Sequence, residues 1–286
     1  MCYAKRPNKK RNNLGICNAK WACVILSLIT QRSFSTQTLM HHSRYNKSSV
    51  PKTIVMSSSL YNSPNIDIVS SFRELSQTPF QGETNALCWA RQLHGDFQEI
   101  VSKLELHDNI TEVSQQDLQA LVLSEQGNLA RDIILQDMHH LSEHGAQPSL
   151  NLLKCYERDD ELDFIATDVY SYHVDRSPIA TDTFLCTYFG AASDLLPNDQ
   201  VEKKILIPEI RAQLRALYDG PEAGFEEFLS EYFFDLHYQA KADAQAINLG
   251  VGHLWRLAVD HPQQHVLPCV HRAPVEAGQY RLLLIC

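Results

Sequence analysis

His173-Val-Asp175 is followed 98 residues later by His271, and Arg281 stands ten positions beyond that. Two imidazoles and one carboxylate suit a divalent ion of intermediate hardness such as Fe(II), and three protein ligands leave positions open for a substrate and an oxidant. Zn(II) and Mn(II) accept the same ligands. Residues i and i+2 of a β-strand face one side, so His173 and Asp175 can aim at a single ion while His271 arrives from a strand returning beside the first. Arg281 offers a rigid bidentate fork, which makes it a candidate clamp for a substrate carboxylate. A His-x-Asp triplet also arises by chance in a chain with 13 histidines, so the surrounding elements must decide whether these residues form a set. The competing reading makes His173 and Asp175 a surface pair and His271 a hydrogen-bonded strand end. In it, Arg281 is a buried cation paired with Asp175 or Glu276.

The elements that would position these residues are strands. Asp163–Tyr172 is β-branched and aromatic and reads as extended, and Thr181–Phe189 is a second strand ended by Gly190. Gln264–His271 and Tyr280–Ile285, with Pro274 and Gly278 between them, have the pattern of a hairpin. Its alternation places Arg281, Leu283 and Ile285 on one face. Arg272 and Cys269 flank His271 and are read as facing away from it. Toward the N-terminus, Asp67–Leu75 reads as a short helix, Asn85–Leu93 as a strand, and Asp96–Leu104 as a helix with Phe97, Ile100, Val101 and Leu104 on its apolar face. Ser114 is a cap-like start for one or two amphipathic helices ending near Gly145. Helices over Ile210–Tyr218 and Phe225–Tyr238 form an insertion between the two halves of the ligand set, its aromatic residues suited to burial against the strand core. The predicted class is α+β, a strand core with flanking helices.

The pattern His173-x-Asp175, His271 and Arg281 resembles that of the Fe(II)/2-oxoglutarate dioxygenases, whose core is a double-stranded β-helix (a cupin-like jelly roll). The resemblance implies a jelly-roll core, an Fe(II) site at His173, Asp175 and His271, and 2-oxoglutarate as a co-substrate held by Arg281. Leu283 stands where many of those proteins carry Ser or Thr. A second resemblance covers more of the chain. Asn85-Ala-Leu-Cys-Trp89-x-Arg91, His173-Val-Asp175, Leu185-Cys-Thr-Tyr-Phe-Gly190, Val270-His-Arg-Ala-Pro274 and Arg281-Leu-Leu-Leu284 resemble a mainly bacterial family known as domain of unknown function 1826, in patches from about Asn85 onward. That resemblance implies that the His and Asp positions belong together, and it carries no reaction.

Composition bounds the alternatives. A chain of 286 residues can bury one substantial core, here expected as a single cupin-like domain over 66–286 with a helical layer (66–148) and the helical insertion (200–240). Residues 1–66 hold ten Lys or Arg and no acid, which leaves 15 basic against 34 acidic residues in the rest. So acidic a body argues against a nucleic-acid surface, which needs a basic patch. The leader, residues 1–65, is expected to be disordered. Its apolar run Trp21–Ile29 is too short to span a membrane. It reads as a signal-peptide core, as a mitochondrial transit segment, or as sequence upstream of a true start at Met56; the last implies a cytoplasmic protein. Eight cysteines without Cys-x-x-Cys spacing read as buried thiols in a reducing compartment and exclude a zinc ribbon. His140 and His144 are helix-end residues before they are ligands, Pro262 breaks any helix through His261 and His265, and His253 is a candidate to line the same cavity.

The leading expectation is a metal-dependent oxygenase acting on a small molecule or a protein. The alternative, from a different class, is a non-catalytic metal-binding or metal-homeostasis protein. The third is a structural role for the histidines in a protein that only binds a partner. The sequence does not define an oligomeric state.

Overall fold

The computed structural model describes residues 63–286. Expectations for the basic leader fall on residues 1–62 and lie outside the described part. The strands, in chain order, are β1 Ile66–Val69, β2 Ala86–Trp89, β3 Ile110–Val113, β4 Ser149–Leu153, β5 Tyr172–His173, β6 Asp182–Phe189 and β7 Asp194–Leu196. They continue with β8 Val201–Lys203, β9 His237–Ala240, β10 Ile247–Asn248, β11 Leu254–Ala258, β12 Val270–Arg272 and β13 Arg281–Ile285. The α-helices are α1 Phe72–Gln77, α2 Phe97–Lys103, α3 Gln115–Ala120, α4 Glu125–Glu143, α5 Pro208–Leu217 and α6 Phe225–Glu231. The α+β class read from the sequence is the one observed.

Two sheets carry the strands. One has seven strands in the order β1-β2-β11-β6-β13-β4-β3, and the other six in the order β10-β7-β12-β5-β9-β8. Four antiparallel pairs are nested within them: β4 with β13, β5 with β12, β6 with β11, and β7 with β10. From β4 to β7, and again from β10 to β13, the chain steps from one sheet to the other at every strand.

Alternation along β13 sorts the core. Leu282 and Leu284 pack with Ile134, Met138 and Leu141 of α4, whereas Leu283 joins Leu185, Trp255, Leu195 and Cys269 in a cluster drawn from both sheets. The helices α2 and α4 thus cover the outer face of the seven-stranded sheet. Local signals fix them there: Asp96 caps α2, Ser114 and Asp117 form a capping box at α3, and Ser124 caps α4. A buried ion pair ties this layer to the sheet. Arg91 reaches Asp137 of α4 through Nη1 at 2.7 Å and Nη2 at 2.5 Å, and the Tyr188 hydroxyl donates to Asp137 at 2.6 Å. A third cluster unites Ile165, Ile205, Leu214, Phe225, Leu229 and Phe234 around α5 and α6.

Four sequence expectations need correction. Ile66–Val69 is strand rather than helix, because its apolar β-branched ends pair in parallel with β2; the helix starts only after Ser71, whose hydroxyl accepts from the Glu74 N–H. Asp163–Tyr172 is largely irregular. There the Asp159 and Asp168 carboxylates accept the backbone N–H groups of Thr167, Asp159, Tyr170 and Ser171, and so compete with a strand ladder. The arms at His271 and Arg281 do not form a hairpin: β12 and β13 lie in different sheets. The helix expected to reach Tyr238 ends at Glu231, because Phe233 adopts a left-handed backbone (φ 60°) and the chain turns into β9. Among the described residues no helix is long and apolar enough to cross a membrane.

Candidate metal centre

The centre begins as a row of imidazoles across three strands. In the ladder, His173 of β5 stands opposite His271 of β12 on one side and His237 of β9 on the other. Their neighbours Val174, Val270, Leu236 and Tyr238 pack together on the outer face of the six-stranded sheet, so alternation turns the three histidines inward. The ring centroids of His173 and His271 are 4.7 Å apart, and those of His173 and His237 are 5.8 Å apart.

Two of the rings are pre-set. His173 Nδ1 lies 2.8 Å from the Ser171 carbonyl oxygen, and His271 Nδ1 lies 3.2 Å from that of Cys269. A carbonyl can only accept, so each Nδ1 carries a proton, and in the neutral ring each Nε2 presents a lone pair. Both Nε2 atoms converge on one carboxylate: His173 Nε2 is 3.9 Å from Asp175 Oδ1, and His271 Nε2 is 3.7 Å from Asp175 Oδ2. Asp175 lies just past the end of β5. Its carbonyl accepts the Asp260 N–H at 2.8 Å, and its Oδ2 accepts the buried Thr183 hydroxyl of β6 at 2.5 Å. Arg176 braces the same segment by pairing with Asp260 at 2.9 Å and Asp235 at 2.6 Å.

One donor atom from each of His173, Asp175 and His271 falls within 4.8 Å of the other two, and this is the one such group among the described residues. Donors at about 2.1 Å from a shared ion are roughly 3.0–3.4 Å apart when neighbouring, so the set fits an ion after an inward shift of about an ångström or less. Burial, followed by the neighbouring His271, lowers the His173 pKa from 6.5 to about 4. At neutral pH that ring is therefore uncharged and free to coordinate.

Arg281 sits apart, at the start of β13. It is 7% exposed, and its Nη2 donates to Thr187 Oγ1 at 3.0 Å and to Ser193 Oγ at 2.9 Å. These partners are hydroxyls, where the competing reading had expected Asp175 or Glu276. Thr183 and Thr187 lie on one face of β6, the first bonded to Asp175 and the second to Arg281. They are four positions apart along the strand, about 13 Å at 3.3 Å per residue, with Leu185 midway. The carboxylate and the guanidinium thus stand toward opposite ends of one interior strand face.

The flanking residues divide. Arg272 does face away, pairing with Asp194 at 3.1 Å, but Cys269 shares the interior face with His271, because two residues along a strand restore the same side. Burial, with Asp175 nearby, raises the Cys269 pKa and keeps it a thiol. His253 accepts the Arg91 backbone N–H at 3.1 Å, and His140 stacks on Phe72 with centroids 5.0 Å apart; the structure brings neither to the centre. Sequence reasoning missed His237. Nothing local to it signals a site, and only the pairing of β9 with β5 places it beside His173.

These features define the class: an α+β protein with a His/Asp/His cluster turned into the space between two sheets. Residues 71–286 match the family described as Protein of unknown function (DUF1826), and the chain belongs to that family. No curated protein and no solved structure matches the chain.

Proposed function

We propose that the protein is a metal-dependent oxygenase, with Fe(II) held by His173, Asp175 and His271 and the carboxylate of a co-substrate, 2-oxoglutarate, held by Arg281. The observation that carries this reading is the convergence of two Nε2 lone pairs on one carboxylate, each fixed by an Nδ1–H committed to a backbone carbonyl. The nested strand pairs support a double-stranded β-helix, since that fold is a long antiparallel hairpin rolled up so that its first strand meets its last. Its reading as a single domain over 66–286, with a helical layer and an insertion, belongs to the same proposal.

Fe(II) in such a set supplies redox chemistry with O2, and the chain's own residues do the rest. Thr183 orients Asp175, Arg281 neutralises and aligns the co-substrate, and Leu185, Leu195 and Trp255 keep the space between the sheets apolar. Arg281 donates from Nη2 to Thr187 and Ser193 and from Nε to Thr187 at 3.4 Å, which leaves Nη1 for an anion. The five cysteines of the described part are free thiols, which suits a reducing compartment such as the cytoplasm.

A second reading is a non-catalytic Zn(II) protein, since Zn(II) accepts the same His and carboxylate ligands but supplies no redox chemistry. Metal analysis of full-length protein purified without oxygen or chelator separates the two. About one iron per chain, lost in His173→Ala and in His271→Ala, is the outcome expected for a three-ligand centre. It should be accompanied by 2-oxoglutarate-dependent O2 uptake that falls about tenfold or more in Arg281→Met. Stoichiometric zinc without O2 uptake would favour the second reading, and no metal in folded wild type would overturn both.

A further inference from the structure

The segment that leaves β8 and returns as β9 brings two polar side chains to the centre that neither the ligand set nor Arg281 employs. His237 is 4% exposed, and its Nδ1 is fully buried without a hydrogen-bond partner. Buried nitrogens without partners are rare in folded proteins, and each calls for an explanation. The ring is not an obvious fourth ligand. Its donor atoms fall outside the group that lies within 4.8 Å, and it lacks the Nδ1–carbonyl contact that aims the Nε2 atoms of His173 and His271. It does stand directly opposite His173, one strand spacing (about 4.8 Å) away, so a ligand bound beside His173 would come within its reach.

Lys204 is the second group. Its Nζ is half-buried and donates to Ser171 Oγ at 2.8 Å and to the Ala166 carbonyl at 3.5 Å, with the Asp168 and Asp159 carboxylates in its surroundings. Ser171 is also the residue whose carbonyl takes His173 Nδ1, so Lys204 is joined to the metal ligand through one residue. The turn Lys204–Leu206 packs against β9, the strand that carries His237. An imidazole N–H backed by an ammonium complements an oxygen that carries negative charge.

We propose that His237, backed by Lys204, is the anion-recognising arm of this centre: it hydrogen-bonds a carboxylate oxygen of a small acid that enters beside His173. The proposal rests on His173, Asp175 and His271 holding an ion. It gives the segment between β8 and β9 a direct part in choosing the ligand, at the end of the interior away from Arg281.

The test uses the full-length protein loaded with Co(II) and titrated with pyruvate, followed by the visible absorption of the cobalt. Wild type, His237→Ala, His237→Gln and Lys204→Met are compared, with metal content measured on each. All four should hold about one Co(II) per chain. Pyruvate should bind about tenfold or more weakly to His237→Ala and measurably more weakly to Lys204→Met, while His237→Gln, which keeps an N–H donor, should recover most of the affinity. Unchanged pyruvate affinity in metal-loaded His237→Ala overturns the proposal. So does loss of cobalt from that variant alone, which would make His237 a ligand. Failure of wild type to take up cobalt would strike the metal centre itself and is read separately. Should His237→Ala not fold, His237→Phe fills the same space, and it and Lys204→Met are judged by the same criterion.

Discussion

Thr183→Val removes one hydroxyl from the interior while keeping the volume and branching of the side chain. Thr183 is 3% exposed, and its hydroxyl lies 2.5 Å from Asp175 Oδ2, the oxygen that also faces His271 Nε2. A hydrogen bond to a charged group contributes about 1.5–3 kcal/mol net. If the bond holds Asp175 in its ligating rotamer, that energy separates the metal-bound arrangement from a displaced one. At 1.4 kcal/mol per decade it corresponds to roughly ten- to a hundredfold weaker metal binding. The low end, about tenfold, is the expected value, since the freed carboxylate of the metal-free protein also loses its anchor. Competition for Zn(II) against a chromophoric chelator at pH 7.5 measures the change, with circular dichroism confirming the fold. Thr187→Val is the internal control: it removes the same hydroxyl from the same strand face but touches Arg281, so its metal affinity should stay within about twofold of wild type. Equal losses in the two variants, or no loss in a folded Thr183→Val, would refute the assignment of Asp175 as a ligand held by Thr183.

The metal-free protein should lose stability as the pH falls. The folded-state pKa of His173 is lowered from 6.5 to about 4, so between those values the unfolded chain binds the proton that the folded chain refuses. This stability is fully present above pH 6.5 and lost progressively down to about pH 4, on the order of 3 kcal/mol at most. His237, lowered by burial and the neighbouring His173, acts in the same direction. A flat melting temperature across this window in chelator-treated protein would contradict it. Asp137→Asn leaves the Arg91 guanidinium buried without its charge partner, at a cost of about 3–5 kcal/mol; calorimetry should show the melting temperature lowered by roughly 6–20 °C. A fall of under about 2 °C would mean the pair contributes little. Gly190 holds φ +85°, and a Cβ there would lie 2.5 Å from the Tyr280 carbonyl and 3.0 Å from Arg281 Cα. Gly190→Ala should cost about 1–3 kcal/mol in chemical denaturation and displace Arg281, and a fully stable variant would show that this approach is loose.

The ligating residues were legible because their types are few and their chemistry narrow, but their geometry was not. His173 and Asp175 were expected on one strand; Asp175 in fact sits past the end of β5, where contacts with Asp260 and Thr183 from distant segments hold it. The helices α2, α3 and α4 were readable because Asp96, Ser114 and Ser124 cap them locally. The stretch Asp163–Tyr172 misled, because aromatic and β-branched residues favour strands only when a partner strand is free, and here aspartate side chains had taken the backbone donors. Phe233 gave no warning of a left-handed turn, a conformation that its side chain disfavours and its surroundings enforce. His237 was invisible for the most general reason: its neighbour in space is 64 positions away in sequence, joined to it only by sheet pairing.

The placement of β13 has a consequence for how the protein is made. It fills the gap between β6 and β4, and about ninety residues separate the end of β6 from its start. At a synthesis rate of about 5–20 residues per second, the edges of β4 and β6 wait some 5 to 18 s for the strand that closes them. Until β11 and β13 are made, neither edge of β6 has its partner, and one edge of β4 stays open to any other extended chain. Such unpaired edges make the incomplete chain prone to aggregate. Slowing initiation or lowering the growth temperature, so that fewer such chains meet, should raise the soluble yield.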